Sequence, residues 1–180
     1  MATRACRTAL ALGLLLTSLP TCAMADQAPL SRVRGVDDRA AALIDEARWR
    51  SGTFQRMVDD VANSDLIVYV SRTPLDGTVR GVLRFVGAGA KGGRYLLIEL
   101  NDELGDHSEA PSDRLASIAT LAHELQHALE VAGAASVQDP KSFEAFYSEV
   151  GTRSRPNMVD TPAAQLAGQQ VFFEMTGRKP

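Results

Sequence analysis

Residues 112 to 132 carry two stripes that belong to one helix and to opposite surfaces. At about 100° per residue, Leu115, Ile118, Ala122, Leu125 and Leu129 fall on one side, the mark of a helix laid on a core. His123 and His127 fall on nearly the opposite side, one turn apart, with the small residues Ala116 and Thr120 before them. A chain built around such a helix needs an apolar layer beneath it and leaves room above it for two imidazoles.

The flanking segments supply candidates for that layer. Residues 36 to 49 read as a helix, with Asp37 or Asp38 near its start and Ala40, Leu43, Ile44 and Ala47 as its inner stripe. A second helix follows Ser51 on Phe54, Met57, Val58 and Val61, and Asn63-Ser64 ends it. The period then changes. Residues 66 to 70, 79 to 86 and 94 to 100 are β-rich runs, separated by the turn signal Pro74-Leu75-Asp76-Gly77 and by the Gly-rich stretch 87 to 93. That stretch lacks the Gly-Lys-Ser/Thr ending of a phosphate loop and reads as a hairpin connection. Helical periodicity returns at about 140 to 150 and 162 to 175, where Asp139-Pro140 and Thr161-Pro162 look like an N-cap followed by Pro at the first helical position. Short connections between the three strands favour an antiparallel meander. The expected fold is α+β: a small antiparallel three-stranded sheet, the histidine-bearing helix and flanking helices.

The N-terminus reads as an address. Arg4 and Arg7 precede the apolar run Leu10 to Leu16, Pro20 breaks it, and Ala23-Met24-Ala25 offers a small-x-small cleavage site. Residues 1–25 are therefore expected to be a signal peptide and 26–180 a single domain, exported to the periplasm or the medium. A lipid anchor on Cys22 is the competing reading. Cys6 and Cys22 are the only cysteines, so the mature part has no thiolate to offer a metal. The 19 Lys and Arg stand against 22 Asp and Glu, and two of the basic residues lie in the leader. The resulting acidic balance, with its basic residues scattered, excludes a nucleic-acid platform, and no later segment is long enough to insert in a membrane.

The chemistry is carried by His123-Glu124-Leu125-Gln126-His127, which contains two of the three histidines in the chain. Imidazoles at i and i+4 around a glutamate can face one ion, for which Zn²⁺ is the expected cofactor, and with no cysteine available its other ligands must be Asp, Glu or His. Glu124 lies between the two faces, where a carboxylate can accept the proton of a zinc-activated water as general base. In these residues the chain resembles the zincin metallopeptidases, matching their His-Glu-x-x-His helix at its three defining positions. The stretch Ala122 to Val131 is also similar to a group of short exported bacterial proteins.

A catalytic zinc takes a third protein ligand and keeps one open position. The gluzincin members of the family supply a Glu on a later helix, roughly twenty residues past the second His. That resemblance offers Glu144 and Glu149. Glu149 comes first because it needs only a short helical hairpin, with Gly133 and the 133–139 loop turning the chain back over the histidines, and Asp160, beside the Thr161-Pro162 helix start, is the further alternative. Glu130 shares the histidine face but lies about 10 Å of helix rise from His123, too far to join both histidines on one ion. Its expected role is to accept a hydrogen bond from the His127 ring. Asp139 looks like a cap, and Glu174 is near the chain end. His107 and Tyr147 are candidates for a third ligand or an oxyanion donor, although the first reads as a solvated loop residue and the second as core.

The expected protein is an exported zinc-dependent hydrolase, a small metallopeptidase acting on peptide or protein, with substrate added as a strand along residues 94 to 100. The alternative is a non-catalytic exported zinc-binding or protein-interaction domain that keeps the same core.

Overall fold

The structure is a computed structural model that describes residues 31–90, 92–102, 111–155 and 158–177. The leader and His107 lie outside the described residues. The chain order is β1 (Val33–Gly35), α1 (Asp38–Arg50), α2 (Gly52–Ala62), β2 (Leu66–Thr73), β3 (Gly81–Ala88), β4 (Arg94–Asn101), α3 (Pro111–Gly133), α4 (Pro140–Val150), β5 (Thr152–Arg155), β6 (Met158–Asp160) and α5 (Pro162–Thr176). No helix among the described residues is long and apolar enough to cross a membrane.

Helices α1, α2, α4 and α5 each start where the sequence supplies an acceptor. Asp37 accepts from Ala40 N on α1, Ser51 from Phe54 N on α2, Asp139 from Ser142 N on α4, and Thr161 from Ala164 N on α5. The α2 start has a second holder. Glu174, on α5, accepts hydrogen bonds from Ser51 Oγ (2.6 Å), Thr53 N (3.1 Å) and Thr53 Oγ1 (2.5 Å). Burial would raise its pKa, but these donors and Gln170 pull it down to about 2. The acid near the chain end thus ties α5 to α2.

The α+β class holds, but the sheet is not a three-stranded antiparallel meander. It has four strands in the order β1-β2-β4-β3. β1 and β4 both run parallel to β2, and only β3 is antiparallel to its neighbour β4. β4 takes the interior position because it is apolar on both faces, with Leu96, Ile98 and Leu100 buried and Tyr95 and Leu97 on the other side. β3, which carries Gly81, Arg84, Gly87 and Ala88, goes to the margin. The 74–80 connection must then pass the end of β4, and the buried Asn101 holds it there. Its side-chain amide donates to Val79 O (2.7 Å) and Leu75 O (3.2 Å). The expectation that residues 94 to 100 form a substrate-accepting edge is therefore corrected: β4 is paired on both sides, and β3 is the outer strand.

Helices α1, α2 and α3 cover one face of the sheet. Leu66, Val68, Val70, Leu96 and Ile98 meet Leu43, Phe54, Val61, Ile118, Leu121 and Leu125 in one core. Within it lies Arg94, only 2% exposed. Its guanidinium pairs with Asp65 through two bonds of 2.7 Å and donates to the carbonyls of Val131 (2.8 Å), Ala134 (2.8 Å), Val137 (3.2 Å) and Ala132 (3.3 Å). The last carbonyls of a helix lack intrahelical partners, and a five-donor fork can satisfy several at once. Arg94 thereby closes the C-terminal end of α3 against β4.

Arg94→Met should destabilise the protein by about 3–5 kcal/mol in urea titration, because it strands these carbonyls and Asp65 in the interior. Arg84→Met, which removes the exposed pair with Glu99, should cost under about 1 kcal/mol.

Candidate metal centre

Helix α3 stacks the imidazoles of His123 and His127 one turn apart, ring centroids 4.9 Å from each other and nearly perpendicular. The helix is buried on more than the expected stripe, since Leu121, Ala128 and Val131 are fully enclosed as well. The second cover is α5. A Cβ at Gly168 would meet Ala119 O at 3.0 Å and His123 Cβ at 3.3 Å, so the absence of a side chain there lets α5 cross beside the first histidine. On the other flank, a Cβ at Gly81 of β3 would lie 2.7 Å from Thr120 Cγ2 and 3.1 Å from Glu124 Oε1. Two glycines thus bring a helix and the outer strand against the motif.

The approach of α5 carries its N-terminus to the histidines. Asp160, the residue before the Thr161 cap, sets Oδ1 at 3.4 Å from His123 Nε2 and 4.0 Å from His127 Nε2. One ligand atom from each of the three residues can be chosen within 4.8 Å of the others, the one such group among the described residues. Tetrahedral zinc with bonds of about 2.0–2.2 Å has ligand atoms about 3.3–3.6 Å apart, so a modest contraction fits the ion. The donor set is also suitable: two imidazoles and a carboxylate, with one coordination position left over.

Of the carboxylates left open for the third position, the fold therefore brings in Asp160 rather than Glu149. Glu149 and Glu144 are both exposed on α4. From α4 the side chain that reaches α3 is Tyr147. It is buried, its hydroxyl donates to His127 O at 2.7 Å, and it stacks edge-on to the His127 ring at 5.3 Å. Burial, then Glu130, pushes its phenol further up, which keeps it protonated in its core position.

The candidate ligands are held from behind. His127 Nδ1 lies 2.9 Å from Glu130 Oε2, the contact expected for an orienting carboxylate. With the proton on Nδ1, Nε2 keeps its lone pair toward Asp160. Glu130 Oε1 accepts from Thr161 Oγ1 at 2.5 Å, and Asp160 accepts from Thr161 N (2.8 Å) and Gln165 Nε2 (2.9 Å). Thr161 and Gln165 were missed as site residues. The only sequence signal was that Asp160 directly precedes a cap, and a cap has no reason of its own to face another helix.

These groups shift one another. Burial lowers His123, and the neighbouring His127 lowers it further against the pull of Asp160 and Glu130. Burial acts the same way on His127, but the Glu130 hydrogen bond and the charges of Glu124, Glu130 and Asp160 outweigh it and raise the group. For Glu130, burial is outweighed by the hydrogen bonds of His127, Thr161 and Tyr147, which hold it below the usual range. Glu124 is only 7% exposed and makes no hydrogen bond to a described residue; burial pushes it up to about 7. A divalent cation nearby would favour its ionised form.

No family model, curated protein or solved structure matches this chain.

Asp160→Ala should weaken zinc binding by at least about 10- to 100-fold in a competition titration against a chromogenic chelator. Glu149→Ala should bind zinc like the parent.

Proposed function

We propose that this chain is an exported zinc-dependent hydrolase, a small metallopeptidase of zincin type. In this reading His123, His127 and Asp160 hold the ion and Glu124 is the general base. The observation that carries it is the convergence of His123 Nε2, His127 Nε2 and Asp160 Oδ1 next to the buried Glu124, whose carboxyl is coupled to His127 and Asp160. When bound, zinc supplies a Lewis acid that polarises a carbonyl and lowers the pKa of water to about 7.

The chain's own residues do the rest. Glu124 is coupled electrostatically to both His127 and Asp160 and has no competing donor among the described residues, so its carboxylate is free to take a proton and deliver it to a leaving amine. His127 is fixed by Glu130, and Asp160 by Gln165 and Thr161 N, so neither has to reorganise during a reaction. A peptide substrate is favoured by the outer strand β3, whose first residue, Gly81, abuts Glu124. An extended peptide paired to that strand would have its backbone led toward the base. Export, with cleavage after Ala25 and the mature chain starting at Asp26, belongs to the same proposal.

Glu124→Gln separates an enzyme from a non-catalytic zinc domain. The variant should retain one equivalent of zinc by elemental analysis and lose about 10²- to 10⁴-fold of its hydrolysis of a casein-derived peptide pool, read by mass spectrometry. Parent protein that holds zinc and cleaves no faster than Glu124→Gln would support the non-catalytic domain instead. N-terminal mass spectrometry of secreted material should find Asp26 first; a lipid on Cys22 or an intact leader would contradict the export assignment.

A further inference from the structure

We infer that Thr161 is a positioning residue of the metal centre, acting through Glu130 on His127 while its own backbone sets Asp160. The inference rests on the zinc reading of His123, His127 and Asp160.

Thr161 is 5% exposed and stands at the N-cap of α5. A threonine hydroxyl has one proton to donate and lone pairs to accept with. Here the proton goes to Glu130 Oε1 at 2.5 Å, and the oxygen accepts from Ala164 N at 3.2 Å. The capped helix therefore fixes the rotor, and the rotor fixes one oxygen of Glu130. The other oxygen faces His127 Nδ1 at 2.9 Å. Meanwhile the Thr161 backbone N–H donates to Asp160 Oδ1 at 2.8 Å, the oxygen that faces both imidazoles. One residue thus orders two of the three ligands, which come from segments far apart in the sequence.

An ordinary N-cap needs only the bond to its own helix. Asp139 on α4 shows the local case: its carboxylate and Ser142 satisfy each other within one turn. The bond from Thr161 to an acid on a different helix goes beyond capping, and the acid it reaches is the one that orients a ligand.

The test uses the mature protein with zinc as the probe and a chromogenic chelator as competitor. Thr161→Val keeps shape and removes the hydroxyl; Thr161→Ser keeps the hydroxyl. Thr161→Val should weaken zinc about 10- to 100-fold, and Thr161→Ser should stay near the parent. Asp139→Ala, which also loses a cap, should lower the thermal stability of the zinc-free protein and leave zinc affinity unchanged. In a Glu130→Gln background, Thr161→Val should weaken zinc no further, because its path is already cut. Parent-like affinity in Thr161→Val, an equal loss in Thr161→Ser, or losses that add fully in the double variant would overturn the inference while leaving the zinc reading in place. A parent that binds no zinc would overturn both.

Discussion

Helix α5 approaches α3 so closely at Gly168 that a single added methyl would meet Ala119 O at 3.0 Å and His123 Cβ at 3.3 Å. The candidate site depends on that contact. It is backed by Ala164, Ala167, Val171 and Met175, all buried, and by Glu174 reaching across to cap α2. With α5 held at this distance, its N-terminus has one place to go. Asp160 arrives beside the imidazoles, and Thr161 arrives beside Glu130. Apolar packing between two helices thus sets a polar geometry at their shared end.

That geometry concentrates charge of one sign. Glu124, Glu130 and Asp160 gather around two imidazoles, and burial is the largest influence on both histidines and both glutamates. Buried carboxylates without counter-charge are costly unless hydrogen-bonded or matched by a cation. Glu130 is hydrogen-bonded on both oxygens, and Asp160 accepts from a backbone and a side-chain amide. Glu124 has no such relief among the described residues, and burial raises it to about 7. A divalent ion at the three-ligand cluster would balance this charge, which is a physical reason for the cluster beyond the spacing of its atoms.

Much of the secondary structure was legible because it rests on local signals. Asp37, Ser51, Asp139 and Thr161 cap helices close to where their sequence context placed them, and the inner stripes of α1 and α2 are the residues their periodicity named. Strand order was not legible. The short connections in residues 66 to 101 pointed to a meander, whereas β4 inserts between β2 and β3, an outcome that suits the two-faced apolarity of β4 and the Asn101 clamp on the crossing loop. β1, β5 and β6 are too short to leave a period. The His-Glu-x-x-His helix was readable as a unit, and so was the Glu130 contact, because i, i+3 and i+4 relations are local. The third ligand was not. Glu149 was favoured because a short helical hairpin would bring it back over the histidines, whereas the position of Asp160 depends on a helix crossing decided by Gly168 on another element.

The most direct test of the account is zinc-edge anomalous diffraction from crystals of the zinc-loaded mature protein. The account predicts one peak about 2.0–2.2 Å from His123 Nε2, His127 Nε2 and an Asp160 carboxylate oxygen, with Glu130 still on His127 Nδ1. A peak at any other residues, or an ion held by Glu149 with Asp160 turned away, would contradict it.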